Sequence, residues 1–175
     1  MKIAKVVLGI VLFLVFWAFQ VGYMNSLGTA AWFAGAVIFS IILFAIGKVS
    51  MPNPSDEIKE VWMFAMAFAL VSTFMISFLG PYLGAVFPPG FTPSMLTPLV
   101  LSFWLIIFGG AKFVTGWLSK NGTYSLVGLI WLFSAIHFVT ALSTGPNSYL
   151  HFGLVTALPV ILTGLMGSKG GNAKK

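Results

Sequence analysis

Hydrophobic residues in this chain follow neither the helical period of a half-buried helix nor the alternation of a strand; they continue for about twenty residues at a time, six times over. The runs cover roughly 3–23, 29–49, 61–80, 96–118, 124–142 and 149–167. A run of that length is what an α-helix needs to cross a hydrocarbon core of roughly 30 Å. The pattern predicts an all-α integral membrane protein with six transmembrane helices forming one domain over 1–175. The first run, Ile3 to Tyr23, is longer than a usual signal-peptide core and has no small-residue cleavage pattern, so it is expected to be retained.

Composition agrees. Hydrophobic residues make up 59% of the chain and charged residues 7%, against roughly 25% charged in soluble domains. Mean hydropathy is +1.03. There is no cysteine, which removes disulfides and thiolate metal sites. All nine basic residues are lysine, so no guanidinium clamp for phosphate or carboxylate exists. The net charge of +6 sits on lysines that flank the runs, a distribution unlike a nucleic-acid-binding face.

Those lysines set an orientation. Lys2 and Lys5 open the first run, Lys48 and Lys59 bracket the second connection, Lys120 lies in the fourth, and Lys169, Lys174 and Lys175 follow the last run. The alternate connections carry no charge. By the positive-inside rule both termini are cytoplasmic, in a cell or plasma membrane. Lys112 is the one lysine outside the pattern.

The connections add detail. Met24–Gly28, Ser119–Thr123 and Ser143–Ser148 are short enough for tight hairpins. Asn121-Gly122-Thr123 fits a glycosylation acceptor but lies on the cytoplasmic side, where it reads as a hairpin turn. In Met51–Glu60, Ser55 or Asp56 is placed to cap helix 3, with Asp56, Glu57 and Glu60 near its positive end. The uncharged Gly80–Met95 connection suits an interfacial segment, the mouth of a cavity or a partner surface.

A shift of 94 residues lays helices 1 and 2 over helices 4 and 5. Phe19, Gly22, Gly28, Thr29, Phe39, Ser40, Ile42 and Phe44 then meet Phe113, Gly116, Gly122, Thr123, Phe133, Ser134, Ile136 and Phe138. A repeat of three helices is necessarily inverted in the membrane, the construction of many secondary transporters. Reuse of Gly and Phe for packing gives the same correspondence.

Candidate chemistry is sparse. Lys112 lies in the inner half of helix 4, where a charge faces a cavity or partner, or snorkels to the interface. His137 and His151 fall toward the same outer leaflet on neighbouring helices and suit a b-type haem, a proton pathway or plain interfacial placement. No other cofactor and no metal site is expected. Gln20, Ser72 and Thr73 are intramembrane polar groups able to line a path or to bond backbone carbonyls. Small residues on helix 2 (Gly28, Ala31, Gly35), helix 4 (Gly109, Gly110, Gly116) and helix 6 (Gly164, Gly167) suit close helix contact, and Pro159 is expected to kink helix 6. The acids lie inside and the histidines outside, which disfavours a hydrolase triad and leaves no catalytic residue to name.

The later half loosely resembles the acetate uptake family of six-helix membrane proteins in Phe108-Gly109-Gly110, Lys120-Asn121-Gly122-Thr123-Tyr124 and His151-Phe152-Gly153. The Asn-Pro motif before that family's first helix is absent. Phe108-Gly109-Gly110-Ala111-Lys112 is equally similar to DoxX-type quinone-linked proteins. Neither resemblance assigns a family. The expected function is a small channel or transporter for a neutral or anionic solute, with Lys112 and His137 on its pathway. The alternative is a non-catalytic subunit of a larger membrane complex, haem- or quinone-associated. Either expects the lipid bilayer plus copies of itself or partner membrane subunits.

Overall fold

The computed structural model describes residues 2–22, 30–51, 53–83, 93–140 and 148–166. Among these residues the secondary structure is six α-helices, with no strand: α1 (Lys2–Gln20), α2 (Ala30–Ser50), α3 (Asp56–Leu83), α4 (Pro93–Leu118), α5 (Gly122–Thr140) and α6 (Ser148–Met166). Four contain segments long and apolar enough to cross a membrane: Ile3–Gln20, Asp56–Ile76, Pro98–Leu118 and Ser148–Leu165. The apolar segments of α2 and α5 are shorter, at Ala34–Ser50 and Gly122–His137.

Helix ends follow local chemistry. α3 starts at Asp56, earlier than the hydrophobic run, because Ser55 takes the N-cap: its carbonyl receives the Lys59 N–H at 3.1 Å. Lys59 then pairs with Asp56 at 2.6 Å one turn back. α1 stops at Gln20, and Gly22 follows with φ 89°. α4 begins with Pro93, whose missing N–H costs a first turn nothing. At the α4–α5 hairpin, Asn121 N–H reaches Gly116 O at 2.7 Å and Lys120 N–H reaches Trp117 O at 3.0 Å. This Schellman closure places Lys120 at φ 54°, where glycine is usual. The Asn121 side chain then caps α5, accepting the Tyr124 N–H at 3.1 Å. Pro159 lies within α6 without ending it.

Glycines set the two closest helix pairs. A methyl on Gly116 would collide with the backbone of Ser125, and one on Gly128 with the backbone of Phe113, so α4 and α5 meet backbone to backbone. Gly9 and Gly164 let α1 and α6 approach closely, with side chains at the contact: an added Cβ would come within 2.6 Å of the Ile161 side chain and 2.9 Å of the Val6 side chain. Gly35 of α2 faces Phe19 and Trp104, each 3.3 Å from such a Cβ. Beside Gly110 there is open space, so its smallness serves no contact. The residues Gly28 and Gly167 lie outside the described residues, as do most of Gly80–Met95 and the Ser143–Ser148 connection up to Asn147.

The centre of the bundle is aromatic. Phe39 is fully buried, with ring centres of Phe16, Phe108 and Phe152 at 5.6, 5.2 and 5.2 Å, and Trp104 and Trp131 at 5.8 and 6.4 Å. Four other helices thus converge on this one ring of α2. The outer surface is also apolar, with exposed Trp17, Phe44, Phe64, Phe78, Trp117 and Phe133 distributed over five helices. Apolar groups inside and out are what a bundle in lipid presents; a soluble monomer rarely exposes such large contiguous patches.

Candidate functional site

One end of the bundle gathers the starts of α1, α3 and α5 and the ends of α2, α4 and α6. Lys112 lies there, six residues before the end of α4, with its side chain 2% exposed. Its Nζ is 4.5 Å from the ring centre of Tyr124, 4.6 Å from Trp131 and 6.0 Å from Trp62. Among the described residues Nζ makes no hydrogen bond and no ion pair, and the one salt bridge is Lys59–Asp56 on the surface of α3.

Magnitudes indicate what this leaves undone. An Arg or Lys at the centre of a transmembrane helix costs about 2.5–3.5 kcal/mol on insertion scales. Cation–π contacts return roughly 0.5–2 kcal/mol each, so two close ring faces offset much of that cost. Ring faces accept charge but are poor acceptors for the three N–H groups of an ammonium. Two neighbouring donors are in the same position. The Thr115 hydroxyl, one turn along the same face of α4, and the Trp131 indole N–H are both buried without a hydrogen-bond partner. Thr73, Ser102 and Thr156, also buried, each bond the carbonyl four residues back. Beside Lys112, Thr115 and Trp131 thus keep buried polar groups without a partner.

Lys112 borders a small cavity of about 40 Å³. Its other polar walls are Lys5 from α1, Ser50 from α2, Thr123 from the first turn of α5 and Thr163 from α6. Thr163 already donates to Val160 O at 3.0 Å. The lining contains no carboxylate. Tyr124 forms one wall and also walls a larger apolar groove of about 300 Å³ between α2 and α3, which Leu43, Lys48, Trp62 and Met66 help to line.

The remaining candidates lie elsewhere. His137 and His151 pair edge to face, ring centres 5.9 Å apart. His137 is thirteen residues beyond Tyr124 on α5, roughly 20 Å along the axis. Among the described residues no group of three His, Asp or Glu side chains surrounds a metal position. Gln20 Oε1 accepts the Leu150 N–H at 3.3 Å, tying the end of α1 to the start of α6. Ser72 bonds Phe68 O at 2.7 Å. Thr73 bonds Ala69 O at 2.6 Å and accepts the Trp104 indole N–H at 2.8 Å. The structure thus joins Lys112 with Lys5, Ser50 and Thr123 rather than with His137, Gln20, Ser72 or Thr73, and the Phe39 cluster occupies the core between the two ends.

Lys112 stands out in the sequence, but its aromatic partners, Trp62 on α3 and Tyr124 and Trp131 on α5, do not. Tyr124 was visible only as part of the hairpin turn, and Trp62 and Trp131 resembled any other membrane aromatics. Set beside known proteins, the chain matches no protein family, no curated protein and no solved structure.

Proposed function

We propose that this protein is a small membrane transporter or channel for a small neutral or anionic solute, with Lys112 in the part of the pathway nearest the cytoplasm. All six helices span the bilayer in this reading, and both termini are cytoplasmic. The observation that carries it is the buried ammonium of Lys112, held by ring faces beside a cavity whose other polar walls are basic or hydroxylic. Intramembrane charges of this kind mark solute and ion paths. In this reading the aromatic centre around Phe39 separates the Lys112 end of the pathway from the opposite end of the bundle. His137 joins the pathway only if that centre rearranges. The helix 1–2 to helix 4–5 correspondence keeps its place as a sequence repeat. Its packing is unequal, since α4 interlocks with α5 whereas α1 interlocks with α6.

Reconstitution into liposomes with a panel of neutral solutes and monovalent anions tests the reading: saturable uptake of at least one supports it, and no uptake above protein-free liposomes overturns it.

A second reading, a non-catalytic subunit of a larger membrane complex or a homo-oligomer, draws on α3. That helix exposes Met63, Phe64, Phe68, Val71, Phe74 and Phe78, with Phe74 and Phe78 ring centres 4.3 Å apart. A stoichiometric membrane partner retained through mild-detergent purification supports this version. A Soret band lost in both His137→Ala and His151→Ala would add haem to it.

A further inference from the structure

The Lys112 cavity has features that go beyond a generic solute position. Two lysine side chains wall it, Lys112 from α4 and Lys5 from α1. Gly164 makes room for Lys5: a methyl there would meet Lys5 Cβ at 3.1 Å, so α6 holds the Lys5 stem against the bundle. Two like charges around one small space, with no carboxylate among its walls, are unfavourable until something negative enters. Thr123 belongs to the first turn of α5, where backbone N–H groups and the helix dipole favour an anion. The last turns of α2 and α6 present the opposite dipole end through Ser50 and Thr163, so the lysines decide the sign.

Size narrows the ligand. A volume of about 40 Å³ holds a few waters or one small ion, far below the roughly 300–1,000 Å³ of organic-ligand pockets. With no arginine in the chain, no planar fork is available for a bidentate oxyanion. The point-charge donors and hydroxyls present suit a compact, singly charged ion.

We infer that the cavity between Lys112, Lys5, Ser50 and Thr123 is a binding site for a small monovalent anion of halide size. The inference rests on the reading of Lys112 as a solute site and names its ligand class. The anion fills the donors that ring faces leave open and sits between the two lysines that wall the cavity. Sulfate and larger organic anions are disfavoured by volume.

The experiment is binding to the full chain in nanodiscs, in a gluconate background, followed by tryptophan fluorescence and by thermal unfolding. Chloride and bromide are titrated against sulfate at matched ionic strength. The expected result is a saturable signal with either halide, strongest with bromide because the Trp131 ring lies 4.6 Å from Lys112 Nζ, and a rise in unfolding temperature that sulfate does not reproduce. Lys112→Met is expected to weaken halide binding at least tenfold, and Lys5→Met or Thr123→Val a few-fold. Should Lys112→Met fail to fold, the latter two variants carry the comparison. Halide and sulfate responses that coincide in the wild type, or equal halide affinity in all foldable variants, overturn the inference. Halide binding without flux in liposomes would leave this site standing and remove the transport reading; flux of another solute without halide binding would do the reverse.

Discussion

Lys112 Nζ sits 4.5 Å from the centre of the Tyr124 ring, one side chain near the end of α4 and the other in the first turn of α5. The contact joins the hairpin to the candidate site, and it depends on the ring face rather than on the hydroxyl. Tyr124→Phe is therefore expected to change unfolding free energy by less than about 1 kcal/mol. Tyr124→Leu removes both the cation–π contact and ring volume, at a cost of about 2–4 kcal/mol. Denaturant unfolding in mixed micelles measures both.

The glycines of α4 and α5 separate contact from coincidence. Gly128→Ala drives a methyl into the Phe113 backbone, and backbone cannot turn aside as a side chain can. The helices must part, at about 2–4 kcal/mol, at or beyond the upper part of the ordinary overpacking range. Gly110→Ala meets open space and should be neutral or stabilising by up to about 1 kcal/mol through helix propensity. Opposite signs in the same unfolding assay are the expected outcome.

Thr73 gives its proton to Ala69 O and takes one from the Trp104 indole. Thr73→Val keeps the shape and leaves the buried indole N–H unsatisfied. The cost expected is about 1–2 kcal/mol, within the range for interhelical hydrogen bonds in membranes and for unmet buried donors. Thr73→Ser should recover most of it.

The orientation is open to direct labelling, because the chain has no cysteine of its own. Ser55→Cys and Asn121→Cys should react with a membrane-impermeant maleimide only when the cytoplasmic face is exposed. Asn147→Cys should react from the opposite face.

Much of the architecture was legible as hydrophobic run length, since six runs of about twenty residues correspond to the six helices. The early start of α3 was visible in the Ser55–Glu57 cap, although the hydrophobic run alone placed it near 61. Lys112 stood out because a charge within an apolar run has few explanations. What sequence did not reveal was which aromatics turn inward. Phe39 and Phe133 meet under the 94-residue shift, yet Phe39 is the fully buried hub and Phe133 is 68% exposed. In a lipid-facing bundle both faces of a helix are apolar, so periodicity carries little signal about burial. Gly128 was missed for a related reason: only the opposing Phe113 backbone gives that glycine its role. The separation of His137 from Lys112 follows from helix direction, but the packed ring cluster between the two ends becomes evident only in three dimensions.

The central claim is that the buried Lys112 ammonium belongs to a solute path. The most direct measurement is the initial rate of chloride or bromide uptake into liposomes containing equal amounts of wild type and Lys112→Met protein. The account predicts saturable uptake by the wild type and at least a tenfold loss in the variant, with helical content and incorporation unchanged. Equal rates in the two proteins would contradict it.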